Sequence, residues 1–396
     1  MHVVVIHRWR ARYAEYGRYL DHDAHTVTYV STEVGASAVP PEAAAVLLVD
    51  ATDDLPSVAE RVKQLAHEYG PPDAIVALKE DDLLVAAQLR REWGCAGWTP
   101  EQVRPYRDKV EMCGRVAAAG LAVPAWTTVR ETGVVRAFGD RHGWPVIVKP
   151  RAESSSAGVL RLDSPGDLRG LDLAGQMAQS FDPRPIHHVD GWFDGVALGP
   201  YRVSRYLNTC LGFRDGDLLG SVEEDDPDLI AAVGGFSARC LAALSGRPTA
   251  FHLEVFLDGS TGECAFLEAG ARAGGAEIPF LWRELHGYDL MEAAFHLSLG
   301  LAPRPGPERF TEVGGWLLAP APARRPCRIT AVRSMTGRNP GPYAEALLRP
   351  GEILPAADAY YEHVGGRFRF RGRTSAEVEA AITATAAAFR VSAEPV

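Results

Sequence analysis

Lysine and regularly spaced cysteine are both scarce in this sequence. Only four of the 41 basic residues are lysine, namely Lys63, Lys79, Lys109 and Lys149. Because lysine and arginine are not equivalent at a tight site, each lysine in a chain that otherwise uses arginine is a candidate for a specific role. The six cysteines form no CxxC pair, which argues against a disulfide scaffold and against a structural zinc site.

Signatures of several common protein classes are absent as well. No apolar run approaches the roughly 20 residues of a membrane span, and a net charge of −10 disfavours nucleic acid and anionic membranes as partners. The first apolar strand leads into His7-Arg8-Trp9-Arg10, without the glycines of a dinucleotide fingerprint, and no GxxxxGK[ST] run occurs. The apolar stretch at the start is too short for a secretory signal. We therefore expect a cytoplasmic protein of two or three domains that binds neither nucleic acid nor membrane.

Apolar strands alternate with helical patterns in the first hundred or so residues, which predicts a parallel α/β sheet. The strands are expected at 3–6, 43–49 and 74–78, and the helices at 56–69 and 83–93. Farther along, the patterns predict a helix after Asp108, a strand over 146–149, strands and turns over 187–222, a helix over 227–244, a hairpin over 251–268 and a helix over 285–299. The proline-rich stretch 302–307 marks a boundary, and the tail is expected to be rich in strands and to end in a helix.

Two lysines occupy positions that do not favour a cation. Lys109 lies in the first turn of a predicted helix, where the helix dipole disfavours positive charge. Lys149 ends an apolar strand and needs a counter-charge or an exit to water. Each lysine is either solvated or directed at an anion. The small-residue loop at 153–158 follows Lys149; it is either a plain surface turn or a loop whose backbone N–H groups approach phosphate oxygens.

Two glutamates lie on the predicted hairpin. Folding it symmetrically places Glu254 opposite Phe266, so that Glu268 is a diagonal neighbour of Glu254 at a separation of roughly 7–8 Å. Two carboxylates at this distance can share one or two magnesium ions with substrate phosphates, although a one-residue bulge would change the register. The alternative is two exposed strand glutamates. Arg272, four residues after Glu268, is placed to pair with a glutamate or to hold an anionic intermediate.

Taken in chain order, these signals resemble the ATP-grasp superfamily: a lysine at a helix start, a lysine on a VIVKP strand, a small-residue loop and Glu…Glu-x-x-x-Arg-x-Gly-Gly. The resemblance covers nearly the whole chain. The run Glu268-Ala269-Gly270-Ala271-Arg272 is most similar to the L-amino-acid ligases, and His187-His188-Val189-Asp190-Gly191 looks like a strand motif of that branch. The resemblance implies an α/β fold with three parts: a pre-ATP-grasp domain over 1–104, a nucleotide clamp over 105–305 with a lid at about 145–190, and a biotin-carboxylase-like C-terminal domain over 306–396.

The resemblance also implies a role for each motif residue. Lys109 and Lys149 would contact the phosphates of ATP, with Lys149 also catalytic, and Arg272 would stabilise an acyl phosphate and the tetrahedral state that follows. Glu254 and Glu268 would hold magnesium. The lid loop would contribute Ser154, Ser155, Ser156 and Gly158, and the adenine hinge would consist of Gln179, Ser180 and Phe181.

The sequence departs from the pattern of the superfamily in two places. Many members carry an asparagine as a further metal ligand where this chain has Gly270, which puts the coordination of a second ion in doubt. The hinge usually contains two glutamates before a hydrophobic residue, whereas Gln179-Ser180-Phe181 offers no acidic residue for the ribose.

Four further residues are candidates for the substrate pocket, and each has a structural alternative. Arg205 either meets a carboxylate or lies on a strand face, and Glu80 either faces the site or only begins a helix. Glu277 and Trp282 either line the amine site or are a solvated acid and a core aromatic residue. His188 is expected to be structural, with no second histidine placed to form a metal cluster. The alternation of arginine and phenylalanine over 367–371 predicts a half-buried strand with a solvated basic face.

The implied activity is that of an ATP-dependent carboxylate–amine ligase. ATP would phosphorylate a small carboxylic acid, an α-amino acid by resemblance, and an amine would displace the phosphate to give an amide or a dipeptide. The cofactors would be ATP and one or two Mg²⁺ ions, with Mn²⁺ as a substitute, the partners would be two small-molecule substrates, and a homodimer is a further expectation. Two alternatives stay open: a ligase acting on a non-amino-acid carboxylate of natural-product biosynthesis, and a non-catalytic nucleotide-binding regulator.

Overall fold

The computed structural model describes residues 1–9, 13–307, 309–356 and 364–396. Residues 2–93 form a parallel four-stranded sheet with helices on it, in the strand order β3-β2-β1-β4. Its elements are β1 (His2–His7), α1 (Tyr16–Tyr19), β2 (Thr26–Ser31), α2 (Glu33–Ala36), β3 (Ala45–Leu48), α3 (Leu55–Tyr69), β4 (Ala74–Ala77) and α4 (Leu83–Trp93). The predicted α/β unit is confirmed, and β2 is an addition to it. Arg10, in the loop after β1, lies outside the described residues.

A smaller sheet of four short antiparallel strands follows, in the order β5-β8-β6-β7. The chain reaches it through two helices, and the elements are α5 (Pro100–Val103), α6 (Lys109–Ala118), β5 (Trp126–Thr128), α7 (Thr132–His142), β6 (Val146–Lys149), β7 (Leu160–Leu162) and β8 (Met177–Ser180). The helix α6 begins where the sequence predicts, because the Asp108 carboxylate accepts hydrogen bonds from the backbone N–H groups of Val110 and Glu111. This cap fixes Lys109 in the first turn.

The remainder of the chain builds an eight-stranded sheet in the order β13-β12-β9-β10-β11-β14-β18-β16 and a three-stranded sheet in the order β17-β15-β19. Its elements up to the proline-rich stretch are β9 (Ile186–Phe193), β10 (Leu198–Tyr206), α8 (Cys210–Arg214), β11 (Leu219–Glu223), α9 (Pro227–Leu244), β12 (Thr249–Leu257), β13 (Cys264–Gly270), α10 (Ile278–Leu285) and α11 (Leu290–Ser298). After it come β14 (Val313–Pro320), β15 (Cys327–Val332), β16 (Ala344–Leu347), β17 (Ile353–Leu354), β18 (Val364–Gly372), α12 (Ser375–Ala388) and β19 (Val391–Pro395).

Both faces of the N-terminal sheet are covered, which explains why β1 is apolar throughout. On one face, Val4 and Ile6 pack in a buried cluster with residues of α3 and α4. On the other face, Val5 and Tyr29 share a buried cluster with residues of α10 and α11, including Phe295. This packing joins the N-terminal sheet to α10 and α11.

The division into three domains stays a proposal, and the strands give it detail in two places. The small sheet spans 126–180, whereas β9, at the end of the expected lid, belongs to the large sheet. The large sheet also continues across the expected boundary at 305/306, because β11 pairs with β14. The tail therefore shares its main sheet with the clamp.

Two predicted helix positions are wrong. The segment expected as one helix over 285–299 contains the end of α10 and a separate α11, because Gly287 takes a positive φ of 64° between them and Asp289 caps the second helix through its carboxylate. The chain does not end in a helix, since β19 follows α12 and pairs with β15. Local helical periodicity shows neither the break nor the long-range strand pairing.

Among the described residues, one helix is long and apolar enough to cross a membrane by length and composition. This helix is α9, with a mean hydropathy of 1.3 over 18 residues. Its buried face, including Val233 and Leu241, packs with Val189 and Phe251 of the large sheet in one core cluster. A core helix satisfies the same criteria of length and composition, so these alone do not indicate a span.

Candidate active site

The hairpin of β12 and β13 places the two glutamates directly opposite one another. Glu254 pairs with Glu268, and the register shifts at this point so that Val255 pairs with Phe266. Leu267 is therefore the extra residue of a β-bulge. The predicted diagonal arrangement, with Glu254 opposite Phe266, is wrong because symmetric folding about the turn leaves out this bulge. The correction brings the two carboxylates closer than predicted, since directly paired strand residues have Cβ atoms about 4.5–5.5 Å apart.

The two lysines singled out in the sequence converge on this hairpin. The Nζ atom of Lys109 lies 3.6 Å from Glu268 Oε2 and donates a hydrogen bond to the carbonyl oxygen of Glu153 at 2.6 Å. Lys149, at the end of β6, is 4% exposed. Burial lowers the pKa of Lys149, and the carboxylate of Glu268 opposes that shift. Both lysines are thus buried next to a carboxylate, and neither is a solvated surface cation.

The small-residue loop after β6 lies against the same region. Ser154 Oγ donates to Asp81 Oδ1 at 3.2 Å, and the carbonyl oxygen of Ser155 accepts from Arg214 Nε at 2.8 Å. Ser155 and Ser156 both have a φ of 55°, a conformation that L-residues other than glycine adopt at a cost. The loop is therefore held over the lysines by specific contacts, unlike a plain surface turn.

Arg272 is held by Glu80 at the carboxyl end of the N-terminal sheet. The Nε and Nη2 atoms of Arg272 lie 2.9 and 2.8 Å from Glu80 Oε2, and Arg107 Nη1 lies 2.8 Å from Glu80 Oε1. Burial raises the pKa of Glu80, but the guanidinium groups of Arg272 and Arg107 outweigh burial and bring the value down to about 2. Glu80 thus contacts Arg272 and Arg107 and also begins a short helical turn, and its place in the site stays a proposal.

Gly270 lies beside the Glu80–Arg272 ion pair. A Cβ atom built on Gly270 would lie 3.5 Å from Arg272 Nε and 3.5 Å from Glu80 Oε2, which is ordinary van der Waals contact. In this chain the position has no side chain and so offers no side-chain ligand for a metal ion.

Glu254 is oriented by two neighbours that the sequence did not reveal. Tyr206 donates from its hydroxyl to Glu254 Oε1 at 2.9 Å, and His252 Nε2 lies 3.5 Å from the same oxygen. His252 was within reach of sequence reasoning, because it stands two residues before Glu254 and so shares its strand face. Tyr206 comes from β10, and its approach depends on the order of strands in the sheet.

The expectation that His188 has no second histidine nearby is wrong. His188, Asp190 and His252 place their ligand atoms within 4.8 Å of one another, close enough for a metal ion. The two oxygens of Asp190 already accept from His188 Nδ1 at 2.6 Å and His252 Nδ1 at 2.9 Å. Burial lowers the pKa of His252, but the carboxylate of Asp190 outweighs burial and raises it to about 9. The geometry is that of a buried hydrogen-bonded network beside Glu254.

The expected adenine hinge lies at the end of β8. Gln179 is buried, and its side-chain Nε2 has no hydrogen-bond partner among the described residues. Phe181 is 38% exposed, with the guanidinium of Arg161 stacked 4.6 Å from its ring centre. An unpaired buried amide donor next to an accessible aromatic ring suits a planar, hydrogen-bonding ligand.

Two of the substrate candidates, Arg205 and Trp282, have partners within the fold. Arg205 forms ion pairs with Glu224 at 3.2 Å and Glu379 at 3.0 Å, so it joins β10 to α12. Trp282 is buried in the core cluster behind the N-terminal sheet. It also lines, with His188, Asp190 and Glu223, a cavity of about 10 Å³. The carboxylate of Glu223 on this cavity was missed in the sequence, which offers no signal for it.

Glu277 is not a solvated acid, and the basic face of β18 is only partly solvated. Glu277 is 1% exposed and lies 2.6 Å from Arg369 Nη1 and 3.5 Å from Arg367 Nη1. Phe368 and Phe370 are fully buried on the other face of the strand, as predicted. The expected exposure holds for Arg371 but is wrong for Arg367 and Arg369, because the start of α10 presents Glu277 to them.

The sequence is similar to those of known ligases. A scan against models of protein families gives no match. The chain is 26% identical over 271 residues to an L-arginine-specific L-amino acid ligase from Bacillus subtilis, which covers 64% of each chain. It is 26% identical over 352 residues to carnosine synthase 1 from Gallus gallus, which covers 78% of this chain and 35% of that one. The chain thus spans less than two thirds of the length of these curated relatives.

Solved structures match over the whole chain. The L-amino acid ligase from Bacillus licheniformis superimposes with a TM-score of 0.76 at 17% identity, covering 99% of this chain and 98% of that one. The likeness defines the class: this chain has the ATP-grasp fold, as its sequence motifs predict. The resemblance to ATP-grasp carboxylate–amine ligases, L-amino-acid ligases among them, is confirmed.

Proposed function

We propose that the protein is an ATP-dependent carboxylate–amine ligase that forms an amide or a dipeptide and releases ADP and phosphate. The observation that carries the proposal is the direct opposition of Glu254 and Glu268 beside Lys109 and Lys149. Paired carboxylates next to buried cations suit a metal-bound polyphosphate, because the carboxylates hold the metal and the lysines meet the phosphate oxygens. The fixed position of Arg272 beside them adds a donor for an anionic intermediate.

The two glutamates fit a hard divalent cation. Carboxylate oxygens are the ligands that Mg²⁺ prefers, and the bulge places the two residues directly opposite one another. When bound, magnesium would offset the negative charge of the transferring phosphoryl group. We assign Glu254 and Glu268 as the protein ligands of one or two ions. Mn²⁺ would substitute for Mg²⁺ because it binds the same oxygen ligands.

The proposed reaction proceeds in two balanced steps. A carboxylate oxygen of the first substrate attacks the γ-phosphorus of ATP, the bond to ADP breaks, and an acyl phosphate forms. The amine of the second substrate then attacks the acyl carbon, the carbon–oxygen bond to phosphate breaks, and the amine proton passes to solvent. Lys109 and Lys149 neutralise phosphate charge, Arg272 donates to the anionic intermediate, and the loop from Ser154 to Gly158 keeps out the water that would hydrolyse it.

We also propose a position for the adenine and a chemical class for the activated acid. The adenine would lie at Gln179, Ser180 and Phe181, where an unpaired amide donor and an accessible ring are available. We propose an α-amino acid as the activated acid. This choice is supported by the resemblance to a ligase whose name specifies an L-amino acid, L-arginine. A homodimer and a cytoplasmic location complete the proposal.

The test is the release of ADP and phosphate from Mg-ATP by the purified protein across a panel of single and paired amino acids. We expect release that requires one particular pair, with an amide of the matching mass formed in equal amount. Glu263→Gln, an exposed change on the same hairpin, is the active control for Glu268→Gln. Intact ATP binding without release by any amino acid would contradict the amino-acid assignment, and absence of ATP binding would contradict the ligase itself.

A further inference from the structure

Arg107 joins three parts of the molecule through one side chain. Its Nη1 atom lies 2.8 Å from Glu80 Oε1, and its Nη2 atom donates to Asp81 Oδ1 at 3.0 Å and to the carbonyl oxygen of Ala152 at 2.6 Å. The side chain is only 9% exposed. It follows the turn Arg104–Tyr106, between the N-terminal sheet and α6. The residue therefore meets the N-terminal sheet and the loop above the phosphate site at once.

The contact with Ala152 connects Arg107 to the lid loop. Two residues later, Ser154 donates to the same Asp81 oxygen that accepts from Arg107. The backbone of Glu153 between them accepts from Lys109 Nζ. The beginning of the loop is thus fixed at three neighbouring points. One contact is made directly with the turn at 80–82, and a second reaches that turn through Arg107.

The contact with Glu80 connects Arg107 to Arg272. One carboxylate oxygen of Glu80 faces Arg107, and the other is occupied by Arg272. An arginine fork can hold three acceptors in fixed directions, whereas a lysine ammonium is a point charge on a flexible stem. A change at Arg107 therefore acts on Arg272 through a single shared carboxylate.

We propose that Arg107 is a positioning residue that couples closure of the lid loop to the orientation of Arg272; this inference rests on the proposed ligase function. With the loop closed, the Ala152 carbonyl completes the set of acceptors around Arg107. This fixes Glu80 and directs Arg272 toward the anionic intermediate. With the loop open, Arg107 loses that acceptor and Glu80 is held less firmly. Arg272 is then fully placed only when water is excluded from the intermediate.

The first test compares Arg107→Lys with Arg214→Lys. Arg214 contacts only the later part of the loop, through the Ser155 carbonyl, and so serves as the matched control. We expect Arg107→Lys to raise phosphate released per amide formed from about one to five or more, while the Kd for Mg-ATP stays within threefold. Arg214→Lys is expected to raise the KM for ATP severalfold with that ratio near one. A ratio near one in Arg107→Lys, or a loss of ATP affinity of the same size in Arg107→Lys and Arg214→Lys, would overturn the proposal.

A double-mutant cycle with Asp81→Asn shows whether the two residues act as a unit. Asp81→Asn alone should also raise phosphate released per amide, because it removes the negative charge that faces Arg107 and replaces one carboxylate oxygen with an amide NH2, which cannot accept from Arg107 or Ser154. In the double variant, phosphate released per amide formed should stay within about twofold of the value for Arg107→Lys, because the effects of residues in one network are not additive. Fully multiplicative effects would contradict coupling through this network.

A readout that needs no substrate separates this inference from the proposed activity. Magnesium and a non-hydrolysable ATP analogue should slow amide hydrogen exchange in the turn 80–82 of the parent protein, because loop closure tightens that turn. The slowing should vanish in Arg107→Lys and persist in Arg214→Lys. Equal slowing in both variants would refute the coupling, whether or not the parent protein proves to be a ligase.

Discussion

Replacement of Glu80 by glutamine tests the electrostatic centre of the site. The substitution keeps the shape of the side chain but leaves Arg107 and Arg272 facing a neutral amide. The neighbouring cations bring the pKa of Glu80 from its ordinary 4.5 to about 2 despite burial. A difference of this size corresponds to about 3 kcal/mol of stabilisation at neutral pH.

This figure converts to a shift in melting temperature. An unfolding entropy of about 2.1 cal/mol/K per residue gives roughly 0.8 kcal/mol/K for a chain of this length. Glu80→Gln should therefore lower the Tm by about 4 °C at pH 7 in differential scanning calorimetry. The control is Glu92→Gln, which breaks an exposed 3.8 Å pair with Lys63 and should change the Tm by less than about 1 °C.

The pH dependence follows from the direction of the pKa shift. A carboxyl group whose folded-state pKa is lowered stabilises the fold above its unfolded pKa, and that stabilisation is lost as the pH falls toward the folded pKa. The difference in stability between the parent protein and Glu80→Gln should be constant above about pH 5.5 and smaller by about 40% at pH 3.5. An unchanged Tm at pH 7, or a difference that grows on acidification, would refute the assignment of Glu80 as a buried, doubly paired carboxylate.

Three further substitutions test the remaining roles. Glu268→Gln should lower amide formation by about 10³-fold or more with a Tm within a few degrees of the parent, and Glu263→Gln should match the parent in a Mg²⁺ titration. Lys149→Ala should raise the Kd for Mg-ATP at least tenfold by calorimetry, whereas the exposed Lys63→Ala should leave it unchanged; equal affinities would remove Lys149 from the phosphate site. Arg272→Ala should abolish amide formation while ATP still binds, and normal phosphate-to-amide stoichiometry in that variant would contradict its role.

The parts of the site that the sequence predicted are those with a local signal. Lys109 was found from its place in the first turn of a helix, and Lys149 from its place at the end of an apolar strand. In both cases the environment that makes a cation costly is set by adjacent residues. The structure places both lysines next to Glu268, as the motif order implies.

The parts that were missed depend on geometry that no periodic pattern carries. The single β-bulge at Leu267 determines whether Glu254 and Glu268 are diagonal neighbours or directly paired. The alternation of polar and apolar residues in the sequence does not show where such a bulge occurs. Arg107 precedes Lys109 by two residues, but its three acceptors come from elsewhere in the chain. Arg369 was expected in solvent, and Glu277 was expected either at the amine site or in solvent. Their pairing across 92 residues arises only when β18 lies beside α10.

The central claim, activation of a carboxylate as an acyl phosphate, is tested most directly by trapping that intermediate. Hydroxylamine would replace the amine substrate in a reaction with Mg-ATP and the amino acid that supports phosphate release. The proposed mechanism predicts the hydroxamate of that acid, detected by mass spectrometry, in an amount equal to the ADP formed. Release of ADP with no hydroxamate, or formation of AMP and pyrophosphate in place of ADP, would contradict the mechanism.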